Sequence, residues 1–236
     1  LILTIVVLGI LVIALFIYIY TPKSTGIKQY SIDMIEITGD CKDCFDLKII
    51  ESEITKDNIK LKSTKTLDMN SEEARKLIEK YNIKRIPALI VLSKDIEKIG
   101  IDGQVFSINS NYALFDRSVP YIGLTSNEIK GIVDIKEIYD SSCKECFSIS
   151  QVGDQLKKIN VKIKDYEAID SLSDKGKSFI KENNLSFAPA LLLSEDIEEY
   201  WWFFDDMKDS FVKKGKYYLY DSPIPPYKEI STGKIK

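Results

Sequence analysis

Histidine is absent from this chain of 236 residues, and the chemistry of imidazole goes with it. Ser–His and Cys–His nucleophile activation, His-ligated hydrolytic zinc and His-ligated haem are all excluded. No glycine-rich loop of the P-loop or dinucleotide type can be found among the 11 glycines. An excess of positive charge is missing too: 33 basic residues face 36 acidic ones, mixed along the chain. There is no basic stripe for a phosphate backbone, so nucleic acid is not an expected partner. Cysteine is scarce, with four residues in all. The chemistry left to this chain runs mainly on sulfur and carboxylates.

Those four cysteines are not scattered. Cys41-Lys-Asp-Cys44 returns 102 residues later as Cys143-Lys-Glu-Cys146, and Pro87-Ala-Leu returns at the same offset as Pro189-Ala-Leu. Asp33-Met-Ile-Glu36-Ile37 precedes the first motif and Asp134-Ile-Lys-Glu137-Ile138 the second. Ser93-Lys-Asp-Ile-Glu97 and Ser194-Glu-Asp-Ile-Glu198 follow the two prolines. Landmarks in conserved order mark a repeat. The chain reads as two copies of one domain, residues 30–130 and 131–236, each large enough to bury its own core.

Residues 1–20 carry no charge. At about 1.5 Å per residue they would cross a hydrocarbon layer of about 30 Å, so they are expected to form a transmembrane helix. The competing reading is a secretory signal, whose apolar run is usually only about 7–15 residues and ends at small residues. Tyr18, Tyr20 and Lys23 fit an interfacial end. Residues 21–29 then form a polar linker. The expectation is a single-pass membrane protein whose soluble domains lie outside the cytoplasm, where CxxC pairs can be oxidised.

Within each copy the signals read strand, cysteine motif with helix, strand, helix, proline, strand. In the first copy these are Tyr30–Ile37, a helix capped by Asp40 or Cys41, Ile59–Leu67, a helix over Glu72–Tyr81 opened by a capping box, and Ala88–Leu92. In the second they are Ile132–Ile138, a helix after Cys143, Val161–Ile169, Asp174–Asn183 and Ala190–Leu193. Strands joined through helices are expected to be parallel, with helices covering both faces of the sheet. Tyr112–Asp116 and Tyr217–Asp221 read as antiparallel edge strands. The second copy adds Glu195–Lys213, where Ile197, Tyr200, Trp201, Phe204, Met207 and Phe211 keep helical spacing. The run Tyr200–Phe204 reads as core packing or domain docking, with Trp202 and Phe203 as exposed contacts. Asn127–Gly131 is echoed by Gly233–Lys236, which puts the boundary near Lys130.

A CxxC pair can close a small disulfide or bind a metal through thiolates. A strand, a CxxC motif opening a helix, a strand, a helix and a proline leading a further strand resemble the thioredoxin fold in both copies. The resemblance implies an α/β architecture of two tandem thioredoxin-like domains, each a central mixed sheet with helices on both faces. It also implies that Cys41 and Cys143 are nucleophiles, that Cys44 and Cys146 are resolving thiols, and that Pro87 and Pro189 follow cis bonds. Glu36 and Glu137 precede the motifs. The resemblance implies a proton relay for them, whereas the strand pattern alone favours solvent-facing carboxylates. A helix N-terminus and Lys42 or Lys144 would favour the thiolate, while Asp40, Asp43 and Glu145 oppose it.

The expected function is membrane-anchored thiol–disulfide exchange, an oxidoreductase activity on cysteines of exported proteins or of a redox partner, with no cofactor and no resident metal. The alternatives are a non-catalytic thioredoxin-fold interaction module with structural disulfides, and a cysteine-ligated metal protein whose four thiolates share zinc. A ring closed by a CxxC pair is a weak staple, worth about 2 kcal/mol against about 3 for a loop of 15 residues.

Overall fold

The computed structural model of the chain describes residues 29–55, 58–149 and 152–236. The expected transmembrane helix at 1–20, and nearly all of the linker at 21–29, lie outside these residues. Among the described residues no helix is long and apolar enough to cross a membrane.

The first half runs β1 (Tyr30–Thr38), α1 (Lys48–Ile54), β2 (Ile59–Asp68), α2 (Glu72–Tyr81), β3 (Arg85–Ile86), β4 (Ala88–Leu92), β5 (Ser107–Asn109), β6 (Tyr112–Phe115), β7 (Tyr121–Gly123) and β8 (Glu128–Lys130). Five strands form a sheet in the order β2-β1-β4-β6-β5. β1 is parallel to β2 and antiparallel to β4, and β4 is antiparallel to β6. The expectation that strands joined through helices are all parallel thus fails at β4. After α2 the chain takes an extra extended leg, β3, which pairs with β7 in a separate sheet, and this lets β4 enter beside β1 from the opposite end.

The second half repeats the plan with β9 (Ile132–Tyr139), α3 (Val152–Lys158), β10 (Lys162–Asp170), α4 (Asp174–Asn183), β11 (Phe187–Ala188), β12 (Ala190–Ser194), α5 (Trp201–Met207), β13 (Phe211–Lys214), β14 (Tyr217–Tyr220) and β15 (Lys228–Glu229). Its sheet order is β10-β9-β12-β14-β13, strand for strand that of the first half. Even the irregularities repeat. The parallel register slips past Lys62 in one sheet and past Lys164 in the other.

Side chains alternate across each strand, so each sheet carries two apolar faces. In the first, Ile32, Met34, Leu89 and Val91 pack with Leu47 and Ile54 beside α1, while Ile37, Ala88 and Ile90 pack with Ala74 of α2. Ser71 caps α2 by accepting from the Ala74 N–H, and Ser173 caps α4 by accepting from the Gly176 N–H. The second sheet has the same two-sided core, but Val119 and Tyr121 of the first half belong to one of its clusters.

Several expected elements are corrected. β6 and β14 are not edge strands, because β5 and β13 lie outside them. The helix expected over Glu195–Lys213 breaks into a 3₁₀ turn (Glu195–Glu199), α5, a second 3₁₀ turn (Lys208–Ser210) and β13. Pairing of Phe211–Lys214 with β14 satisfies backbone groups that a continued helix would have used. The exposed aromatics are Trp201 and Trp202, whereas Phe203 packs against the core. The echo at the chain end is the return leg of a hairpin. Tyr121 pairs with Lys130 in the first half, and Tyr227 exchanges backbone hydrogen bonds with Lys236 in the second.

Candidate functional site

Both cysteine motifs lie in the loop that follows the first strand of each half. Cys41 and Cys44 form a disulfide with S–S 2.01 Å, and Cys143 and Cys146 one with S–S 2.03 Å. All four cysteines are half-buried. The motif does not open a helix as expected. α1 begins at Lys48 with Leu47 at its N-cap, so Cys41 and Cys44 lie wholly outside it. Described helix resumes only at Val152 after the second motif. A helix dipole acts within its first turn, so Cys41 gains little from it. The local reason is that the residue after each motif is held elsewhere. The Phe45 N–H donates to the Pro120 carbonyl at 2.9 Å, and the Phe147 N–H to the Pro226 carbonyl at 2.7 Å. Each motif is thereby tied to the hairpin that closes its own half.

The Ile86–Pro87 and Ala188–Pro189 bonds are cis, as are Val119–Pro120 and Pro225–Pro226. In the second half one cleft is lined by Glu137, Tyr139, Asp140, Cys143, Cys146, Phe147, Ser148 and Pro189. The Cys146 Sγ lies 3.9 Å from the Ala188 carbonyl oxygen. The first half differs. Cys41 and Cys44 pack on the cluster that contains Ile86 and Ala88, and Cys44 faces a groove whose far wall is Lys157, Asn160, Val161, Lys162 and Ile163 of the second half. Asp43, inside the first motif, pairs with Lys162 across that groove at 2.8 Å. The Lys162 ammonium holds the Asp43 carboxyl below the usual carboxylate range.

Glu36 and Glu137 stand at different distances from their motifs in sequence, yet the sheets bring them to one position. Glu36 lies opposite Leu89 and Glu137 opposite Leu191, each leucine two residues beyond its proline. Glu137 is buried, which corrects the solvent-facing reading for it; Glu36 is half-buried. Their partners were not legible in either copy alone. Glu36 Oε2 accepts from the Thr66 hydroxyl of β2 at 3.2 Å, and the Glu51 carboxyl of α1 interacts with it. Burial, and then the negative charge of Glu36, push the Glu51 carboxyl up to about 7. Glu51 Oε1 is buried without a hydrogen-bond partner. In the second half the Tyr166 hydroxyl donates to Glu137 Oε2, and burial followed by this bond raises the Tyr166 phenol.

An exchange of volume explains the difference. The offset of 102 aligns Glu51 with Gly153 and Thr64 with Tyr166. A Cβ built on Gly153 would sit 3.3 Å from the Tyr166 ring. The first half puts a long side chain on the helix and a short one on the strand, and the second half reverses this. The reciprocal change was present in the aligned copies as a signal, although neither residue is conspicuous alone.

Among the described residues no group of three or more Cys, Asp or Glu side chains is arranged to hold a metal ion, and the two cysteine pairs are not joined in one site. Comparison with protein-family models and with curated proteins gave no match to the chain.

Proposed function

We propose that this chain is a thiol–disulfide exchange protein with two thioredoxin-like domains, residues 30–130 and 131–236, held to a membrane by residues 1–20 with its soluble part outside the cytoplasm. The sheet order β2-β1-β4-β6, with β1 parallel to β2 and antiparallel to β4, supports the fold assignment. The observation that carries the function is the cleft in which a half-buried disulfide meets Pro189 and the buried carboxyl of Glu137. A sulfur there is reachable, and a proton acceptor lines the same space.

In the oxidised state a substrate thiolate attacks Cys143 Sγ. The Cys143–Cys146 bond breaks, Cys146 leaves as a thiolate, and a substrate–Cys143 disulfide forms. A second substrate thiolate then releases Cys143, so two electrons pass to the pair and the substrate gains a disulfide. In the reverse direction Cys146 resolves the mixed disulfide, and Glu137 accepts the proton of its thiol. Glu36 serves Cys44 in the first domain in the same way. The substrates are cysteine-bearing exported proteins or a redox partner protein.

The test replaces the resolving cysteine in the full chain. Cys146→Ser should accumulate mixed disulfides with cysteine-bearing proteins that disappear on reduction, and Cys143→Ser should accumulate far fewer. Absence of adducts in Cys44→Ser and Cys146→Ser alike, together with wild-type disulfides that resist mild reductant, would replace this reading by that of an inert interaction module.

A further inference from the structure

Beside the second cysteine cleft the same half opens a second cavity, of about 300 Å³. Phe147 and Pro189 line both spaces, so the two are adjacent. The walls are Leu191, Phe203, Met207 and Phe211, and Gln155 and Ser222 are the polar members of the lining. Three large apolar side chains that stand exposed on the surface converge on this one cavity: Phe147 at 39 %, Ile159 at 41 % and Ile224 at 43 % exposure.

The first half carries a counterpart space, lined by Ile50, Glu53, Ile54 and Phe106, but it includes the carboxylates of Glu53 and Asp102 and does not reach Phe45. In that half the phenylalanine after the motif, Phe45, packs on Phe115 with ring centroids 5.4 Å apart, and Phe115 packs on Phe106 at 5.7 Å. The counterparts of Phe106 and Phe115 keep their contact, Phe211 to Tyr220 at 5.6 Å, but Phe147 stands out at the rim. Part of the outer wall, Phe203 and Met207, comes from α5, in the segment by which the second copy is longer than the first. The added segment therefore frames an uncharged apolar hollow next to a disulfide, where the counterpart space of the first half carries carboxylates and stands away from its cysteines.

Resting on the exchange reading of Cys143 and Cys146, we infer that this cavity is the specificity pocket of the second site and that its occupant is one large apolar side chain, of the Leu or Phe kind, close to the reacting cysteine of an extended polypeptide. A side chain near the cysteine of a polypeptide seated on the disulfide cleft would meet this cavity beside the shared Phe147 and Pro189. The volume is at the small end of the range of about 300–1,000 Å³ for ligand pockets, enough for a side chain and small for a cofactor. No charged residue lines it, so neither a phosphate nor a carboxylate head would find a partner inside. The unbranched thioether of Met207 lets the wall adapt to different apolar shapes.

The experiment uses the full chain with Cys41, Cys44 and Cys146 changed to serine, so that Cys143 is the single thiol. The probes are matched peptides, each carrying one cysteine as a mixed disulfide with a small aliphatic thiol, and Leu, Phe, Ser or Asp two residues away. Cys143 thiolate attacks the peptide sulfur, the protein–peptide disulfide forms, and the small thiolate leaves; mass spectrometry follows the adduct. The Leu and Phe peptides should react about tenfold or more faster than the Ser and Asp peptides, the scale of burying one such side chain. Ile224→Lys and Met207→Lys should remove that advantage, bringing the Leu and Phe peptide rates down to that of the Ser peptide in the same variant. Equal rates for all four peptides would overturn the pocket while leaving the exchange reading standing, as would peptide-independent filling of the cavity by a fatty acid or by a second copy of the chain. Failure of every peptide to react would instead remove the exchange reading. Binding of the Phe peptide with serine in place of cysteine, lost in Ile224→Lys, would still support the pocket.

Discussion

Glu36 and Glu137 occupy one position of the repeat and each accepts from a hydroxyl of the neighbouring parallel strand, but Glu36 also interacts with a second carboxyl, Glu51 of α1, and the difference has measurable consequences. Glu51 has a folded-state pKa of about 7 against 4.5 as the ordinary value. Between those values the folded protein holds a proton that the unfolded chain has lost, so the contribution of this group is full below about pH 4.5 and is lost as pH rises through about 7. Glu51→Gln, which mimics the protonated form, should leave stability unchanged near pH 4.5 and raise it by about 1 kcal/mol at pH 8, a figure reduced for solvent screening. Urea denaturation at the two pH values checks it. In the second half Tyr166→Phe takes the hydroxyl from the buried Glu137 carboxyl and should cost about 1–3 kcal/mol at pH 7. Paired with Glu137→Gln in a double-mutant cycle, the two changes should be clearly non-additive, since they share one bond.

At the level of elements, α2 and α4 are the same helix built under different constraints. Ala74 is fully buried in α2, and the offset of 102 puts Gly176 at its place in α4. A Cβ on Gly176 would lie 1.9 Å from the Asp170 carbonyl oxygen. Helix propensity favours alanine over glycine by about 1 kcal/mol, but a forced backbone shift typically costs about 1–3. Gly176→Ala should therefore destabilise the protein, as thermal unfolding would show. Elements of this kind were legible in the sequence because caps and spacing are local: Ser71 and Ser173, the apolar face of Glu72–Tyr81, and the alternation along Ile59–Leu67 all lie within a few residues of what they specify. β4 reversed its expected direction because strand orientation depends on how the intervening chain re-enters the sheet, which periodicity does not encode. The helical spacing from Ile197 to Phe211 misled for a related reason. Tyr200 and Phe211 are buried through separate elements, and pairing with β14 decided the end of the segment. At the site, the four cysteines and the two prolines stood out as repeated motifs, whereas Glu51 and Tyr166 did not, since each acts on a carboxylate that only tertiary packing brings near.

For the whole molecule, the aromatic segment of the second half makes the junction. The Tyr200 hydroxyl donates to the Gly131 carbonyl at 2.6 Å and accepts from the Lys162 N–H at 2.8 Å, while the Gly131 N–H donates to Asp196 Oδ1 at 2.8 Å. Arg85 pairs with Glu199 at 3.3 Å and lies over the Tyr121 ring, and Arg117 lies over Trp201. The Tyr200 bonds hold Gly131 at the start of the second half, while Arg85–Glu199, Arg117 over Trp201, and Val119 and Tyr121 in a core cluster of the second half join the halves to each other. One consequence is that the two disulfides meet solvent differently. Cys143–Cys146 lines its own cleft, whereas the first motif looks into the groove between the halves and is bridged across it by Asp43 and Lys162. A reductant that reaches Cys44 through this groove enters between the halves. In the folded full chain under limiting reductant, Cys143–Cys146 should open first and Cys41–Cys44 clearly later, as differential alkylation followed by peptide mapping would show. Lys162→Ala removes the bridge without touching either motif. Exposed ion pairs are weak, so the first disulfide should open only about two- to fivefold faster, and the second at its former rate. Reduction of both pairs at one rate in the wild-type chain, unaffected by Lys162→Ala, would mean that the groove does not screen the first site.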